Sequence, residues 1–283
     1  MNSLAVGLVV VSAVLHALWN AGLRLERDKE RGVVLAIFVG SVVALGVAAV
    51  IAAWRGHPFA GVNGQRAFAI TLAAGVFEAM YFASLARALT LGPLGTVYTL
   101  SRGGAMLAVW PLSIAWFGEA VTTSAVIGTL VLLVGLGVAS AERGASARAV
   151  AWALVCAAFI ASYHLAYKAA LQWGGEPAAV FAISLSLSSV INVVRLGRGG
   201  RQQALALWRA RWGRLSLIGL VCAVAFLVFM FALAMGGAGA IVSLRNTSVV
   251  FATLLAWRIG DRPSWRQLVG TVLVAGGAIL ISW

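Results

Sequence analysis

Two arginines open the argument. Arg102 and Arg245 each stand about a turn or two inside a long apolar run, and the two runs end alike, in Gly118-Glu119 and Gly260-Asp261. A guanidinium offers a planar fork of donors that matches a carboxylate or phosphate. A charge at membrane depth costs at least a few kcal/mol, so each one is a functional hypothesis. The plainer alternative is that each arginine snorkels or pairs with a backbone carbonyl. Glu78 is the only acid deep inside an apolar run. A carboxylate held there could take a proton or the ammonium of a zwitterion. The plainer alternative is a structural pair with Arg102 or a histidine.

His16 and His164 lie in two further runs, inside the related strings SAVLHALWNAGL and IASYHLAYKAAL. Histidine can shuttle protons near neutral pH, although a packed histidine bonded to a neighbouring helix is the common case. Trp19, Asn20, Tyr163 and Tyr167 accompany them, and Lys168 stands where it can snorkel to an interface. Asn20 can both donate and accept. Tyr81, Tyr98 and Trp110 are candidates for an aromatic lining, and Asn246 adjoins Arg245. The candidate substrate-binding set is therefore Arg102, Arg245, Glu78, Trp19, Asn20, Tyr81, Tyr98, Tyr163, Tyr167 and Asn246. Glu78, His16 and His164 are the candidates for proton coupling. Patterns for a nucleophile elbow, a zinc helix or a nucleotide-binding loop are absent, so no catalytic residue, metal, cofactor or ATP-driven step is expected. Cys156 and Cys222 read as small core residues.

The elements that must carry these residues are membrane helices. Of 283 residues, 62% are hydrophobic and 10% are charged; soluble domains carry about a quarter charged residues. A span needs roughly 20 apolar residues, and ten segments qualify: 3–24, 33–54, 67–90, 94–117, 123–141, 149–171, 177–196, 214–236, 238–258 and 264–282. A β-barrel would alternate apolar and polar residues in strands of about ten, and these runs are apolar on all faces. Pro111 is expected to kink the fourth helix. The longest connection, RLGRGGRQQALALWRARWGR, suits the headgroup layer. The net charge of +13 sits in short loops and carries no nucleic-acid motif, so lipid and not nucleic acid is the expected partner.

The two histidine strings, the two Arg…Gly-acid runs, and Ile127-Gly128-Thr129 against Val269-Gly270-Thr271 recur in order. The offset shortens slightly along the chain, which small deletions explain. Residues 1–142 and 149–283 therefore read as two copies of a five-helix unit. Five is odd, so the second copy enters the membrane from the opposite side. Such inverted repeats favour alternating access, with substrate near the midplane. The Gly128/Gly135 and Gly270/Gly276 spacings suggest close helix packing, within the chain or at a dimer contact, so monomer and homodimer both stay open.

The strings LHALWNAGLR, SLRNTSVVFATLLAWRIGDR and LARALTLGPLGTVYTLSRGGAMLAVWPLSIAWFGE, with the five-plus-five plan, resemble the EamA-type transporters of the drug/metabolite transporter superfamily. The resemblance covers essentially the whole chain. It implies an exporter of an amino acid or other small metabolite in the plasma (inner) membrane, with both termini in the cytoplasm. The charge count implies the reverse orientation: fifteen basic residues flank the loops opposite the termini, against Arg55, Arg66 and Lys168 on the terminal side, which by the positive-inside rule puts the termini outside. Two other classes stay in view. An intramembrane enzyme acting on a lipid-linked substrate would need clustered acids or a nucleophile–base pair, and a membrane assembly partner would need an output domain.

Overall fold

A computed structural model of the protein describes residues 3–56, 62, 64–140, 146–258, 260 and 263–283. The edge of the first repeat at 142, together with Arg143, Asp261 and Arg262, lies outside them. The structure is 89% helical, which removes the barrel alternative. In chain order the helices are α1 (Ser3–Arg24), α2 (Lys29–Trp54), α3 (Gln65–Leu91), α4 (Leu94–Phe117), α5 (Thr123–Ser140), α6 (Ala147–Gln172), α7 (Pro177–Arg195), α8 (Gly197–Met235), α9 (Ala238–Arg245), α10 (Ser248–Arg258) and α11 (Trp265–Ser282). Among the described residues, eight segments are long and apolar enough to cross a membrane, with Ala238–Arg258 taken as one. The remaining two are α5, a shorter apolar helix, and α4, which carries the polar run Thr99, Ser101 and Arg102.

Local chemistry sets the ends. Asp28, Ser146, Glu176 and Ser264 accept from the backbone N–H three residues on, at the starts of α2, α6, α7 and α11, each satisfying a donor that a helix start leaves free. Gly118 ends α4 in the left-handed conformation, at φ 65°, where a Cβ is disfavoured. The helix assignment of α4 passes through Pro111 unbroken.

Apolar side chains face outward along the helices, including Val42, Leu130, Val190, Leu217 and Val272. Trp54, Trp116, Trp173, Trp257, Trp265 and Trp283 stand exposed at helix ends. An apolar belt edged by tryptophan is the surface of a protein in a bilayer.

The helix interfaces pair off. The most extensive are α5 on α11, α3 on α6, α1 on α8, α2 on α8, α4 on α6, α3 on α7 and α2 on α7. If α1–α5 are exchanged for α6, α7, α8, α9/α10 and α11, each of these has its mate: α3·α6 becomes α8·α1, α2·α8 becomes α7·α3, and α4·α6 becomes the packing of α9 and α10 on α1. Glycine permits the α5–α11 seam. A Cβ on Gly128 would lie 2.6 Å from the Gly277 carbonyl, and one on Gly135 would lie 2.9 Å from the Gly270 carbonyl. These glycines are thus used inside the chain. Gly277 takes the place expected of Gly276, which meets nothing within 4 Å.

The long connection before the eighth span is helical and continuous with it. Non-helical dihedrals at Arg211 (φ −142°, ψ 26°) divide the surface arm from the span. Glu26, in the first loop, is buried there between Arg211 (3.0 Å) and Arg214 (2.9 Å), tying the α1–α2 turn to the bend.

Candidate functional site

The residues expected to do chemistry meet in the middle of the bundle. Arg102 on α4 and Arg245 at the end of α9 are 2% and 0% exposed. His16 on α1 lies between them. Its Nε2 contacts Arg102 Nη2, and its Nδ1 lies 3.1 Å from Arg245 Nη2 and 3.2 Å from Trp19 Nε1. Arg245 also reaches His164 Nε2 at 3.3 Å and donates from Nε to Ser12 Oγ at 3.1 Å. Ser12 in turn donates to the Ala225 carbonyl at 2.7 Å. Arg245 packs over Phe226 and Phe229, at 4.5 and 4.0 Å, and Arg102 stands 5.7 Å from the Tyr98 ring, cation–π contacts that hold guanidinium groups on apolar faces.

This cluster is rich in donors and poor in acceptors. A neutral imidazole has one acceptor nitrogen and one N–H. His16 faces donors at both nitrogens, so one N–H must oppose another. Arg102 Nη1 has no hydrogen-bond partner among the described residues. Neither arginine forms an ion pair with a carboxylate among them. Two buried cations without a counter-charge are costly, a cost that a nearby anion would offset.

Helix geometry explains how Arg245 is placed. Between α9 and α10 the chain breaks at Asn246 and Thr247. There the backbone N–H groups of Asn246, Thr247, Val249 and Val250 bond three residues back, at 2.9–3.1 Å, a tightened 3₁₀ turn of the kind found at functional hinges. Asn, Thr and Ser compete with the backbone for hydrogen bonds, so Asn246-Thr247-Ser248 is a weak helix former. Two bonds stitch the break to α4: Asn246 Nδ2 donates to the Arg102 carbonyl at 3.1 Å, and Tyr98 Oη to Ser248 Oγ at 3.3 Å.

A second polar group adjoins the first across aromatic rings. Tyr163 lies 4.3 Å from the His164 ring, 5.3 Å from Tyr81 and 5.4 Å from Tyr167. Tyr167 Oη lies 3.2 Å from Ser184 Oγ, which donates to Glu78 Oε2 at 3.1 Å. Glu78 is fully buried, and its Oε1 is unpartnered among the described residues. The structural pair of Glu78 with Arg102 or a histidine is therefore not formed; its partner is Ser184 of α7.

The structure thus gathers Arg102, Arg245, His16, His164, Trp19, Tyr98 and Asn246 at one centre, with Tyr81 and Tyr163 beside it and Glu78 and Tyr167 beyond. Asn20 turns to its own helix, donating to the His16 carbonyl at 2.8 Å, while its Oδ1 is unpartnered among the described residues. Trp110 departs from the expected lining and lies beside Gly239 at the start of α9. Lys168 caps α8, donating to the Leu233 and Gly236 carbonyls at 3.1 and 2.7 Å. Sequence reasoning missed Ser12, Ser184, Phe226 and Phe229. Ser12 is one turn before His16 and Phe226 is one turn before Phe229, so a shared-face rule would have flagged the first. Cys156 and Cys222 are buried core residues, as expected.

Residues 147–283 match the EamA-like transporter family, beginning at the first residue of α6. Comparison with curated proteins yields no match. A solved crystal structure of a protein superposes with a TM-score of 0.69 over 99% of this chain and 96% of the other, at 18% identity, a likeness of fold. Members of the family are generally transporters, and its match takes in His164, Arg245 and the helix break. The chain is therefore a multi-pass helical membrane protein whose residues 147–283, just under half of it, match the EamA-like transporter family of the drug/metabolite transporter superfamily.

Proposed function

We propose that this protein is a transporter that carries a small carboxylate-bearing metabolite, an amino acid or a related anion or zwitterion, outward by alternating access. One observation carries the reading: two fully buried guanidinium groups converge on a single imidazole with no carboxylate paired to them among the described residues. The substrate carboxylate supplies that counter-charge, gripped first by the unpartnered Nη1 of Arg102. Arg245 acts from a fixed position, since its Nε and both Nη atoms are already engaged by Ser12, His164 and His16. Glu78, at the end of the Tyr167–Ser184 chain, receives the substrate's amine or a coupling proton.

The exchange-related helix interfaces support two inverted repeats of five spans, 1–142 and 149–283, related by an axis in the membrane plane. The 3₁₀ break beside Arg245 is the joint about which α9 and α10 change their angle. The excess of basic loops supports a plasma (inner) membrane orientation with both termini outside the cytoplasm.

The test is counterflow in proteoliposomes preloaded with a panel of amino acids and other carboxylates, with and without a pH gradient. Accumulation of at least one carboxylate substrate, absent for its amide, is expected. Transport only of neutral or cationic solutes would end the reading. Acceleration by the gradient would assign the proton to the cycle.

A further inference from the structure

At the basic end of the bundle, away from the central site, a groove of about 620 Å³ opens among α2, α3, α6 and α7. Its lining includes Arg27, Lys29, Arg87 and Arg195, with Asp28 and Glu30 as the acids. Both acids are engaged: Asp28 by Arg31, and Glu30 by Arg195 at 2.8 Å. Arg27 and Arg87 are exposed, and neither forms an ion pair among the described residues. Arg87 stands at the last turns of α3 and Arg27 in the first loop, two positions that meet only in the fold.

Below the charges the groove is apolar. Along α3 the positions Val76, Met80, Ala83, Arg87 and Thr90 succeed one another at three- and four-residue steps, so they share one face. Val76 and Met80 are exposed, and Ala83, which has a small side chain, lines the groove opposite Trp152 of α6. A cationic pocket at headgroup depth that continues as a greasy track toward the bilayer centre has the shape of one ligand class. A free phosphate would use the pocket and ignore the track.

We propose that this groove is a binding site for an anionic phospholipid. Its phosphodiester sits between Arg27 and Arg87, and one acyl chain descends past Ala83 to Met80 and Val76. The lipid comes from the leaflet on the basic face, where anionic headgroups meet cationic loops. It bridges the α1–α2 loop, in the first half, to α6 in the second, and so ties the halves together at that face.

Native mass spectrometry of the delipidated full chain tests this, with phosphatidylglycerol and phosphatidylcholine of identical acyl chains as probes. Phosphatidylglycerol is expected to bind about tenfold or more tightly than phosphatidylcholine. The Arg27→Gln/Arg87→Gln variant is expected to lose about 25-fold in phosphatidylglycerol affinity, at about fivefold per cation. Ala83→Trp leaves every charge in place and fills the track, and is expected to weaken phosphatidylglycerol binding about tenfold, the equivalent of about two acyl methylenes left unburied. Equal affinity for the two lipids overturns the proposal, as does unchanged binding in either variant. Displacement of the lipid by equimolar inorganic phosphate also overturns it, because the track would then contribute nothing.

Discussion

Arg102→Gln should separate stability from function in an unusual direction. Removing one member of a buried ion pair normally costs 3–5 kcal/mol, because the other charge is stranded. Arg102 has no such partner among the described residues, and faces a second cation across His16. An imidazole's width plus two hydrogen bonds puts the guanidinium groups roughly 7 Å apart. At an effective dielectric constant of about 20, their repulsion is about 2 kcal/mol. Glutamine removes that repulsion and keeps a donor near His16, at the loss of the contact with Tyr98, worth about 0.5–1 kcal/mol. The ligand-free variant should therefore melt at the wild-type temperature or a few degrees above it. Its affinity for a carboxylate should fall by about 2–5 kcal/mol, thirtyfold or more. Tryptophan-fluorescence melting in detergent reads both quantities, since a ligand stabilises in proportion to ln(1 + [L]/Kd). A variant destabilised by about 3 kcal/mol without ligand would show that Arg102 had a buried counter-charge, and would refute the reasoning that makes the substrate anionic.

Other perturbations probe separate parts of the structure. Glu78→Gln retains the hydrogen bond to Ser184 in shape but cannot carry a negative charge. If Glu78 holds the coupling proton, the variant should abolish gradient-driven uptake and spare counterflow; if it holds the amine, the variant should cut counterflow of zwitterions but not of simple carboxylates. Both unchanged would remove Glu78 from the mechanism. Gly128→Val places side-chain carbons where the Gly277 carbonyl and the Ile281 amide already stand, at 2.6 and 2.8 Å. It should cost about 1–3 kcal/mol in denaturant titrations, and an undiminished midpoint would show that the α5–α11 seam is looser than described.

Much of this was legible from particular residues. The runs of apolar side chains gave the spans nearly to the residue: 3–24 and 94–117 coincide with α1 and α4. Arg102, Arg245, His16 and His164 could be chosen because charge and imidazole are costly at depth. What the choice lacked was distance. A pair of Glu78 with Arg102 or a histidine was one of the alternatives the sequence left open, and α7 brings Ser184 to it instead. Phe226 and Phe229 stand out from the apolar run 214–236 by nothing in their own sequence, and only the rotation of α8 brings them onto Arg245. The surface arm before Arg211 read as a loop because its arginines interrupt the hydropathy, although each of its residues is compatible with a helix lying along the headgroups.

By itself the sequence determined that the chain lives in a bilayer, how many times it crosses, and which side chains are too costly to be there idly. Those are properties of individual residues and their neighbours along the chain, and transfer energies act on them one segment at a time. Only the tertiary structure decided that both arginines share one histidine, that the acid stands apart from them, and that a basic groove opens between α3 and α6. Such juxtapositions depend on how helices distant in sequence are rotated against one another, and that rotation is set by packing, which no single segment contains.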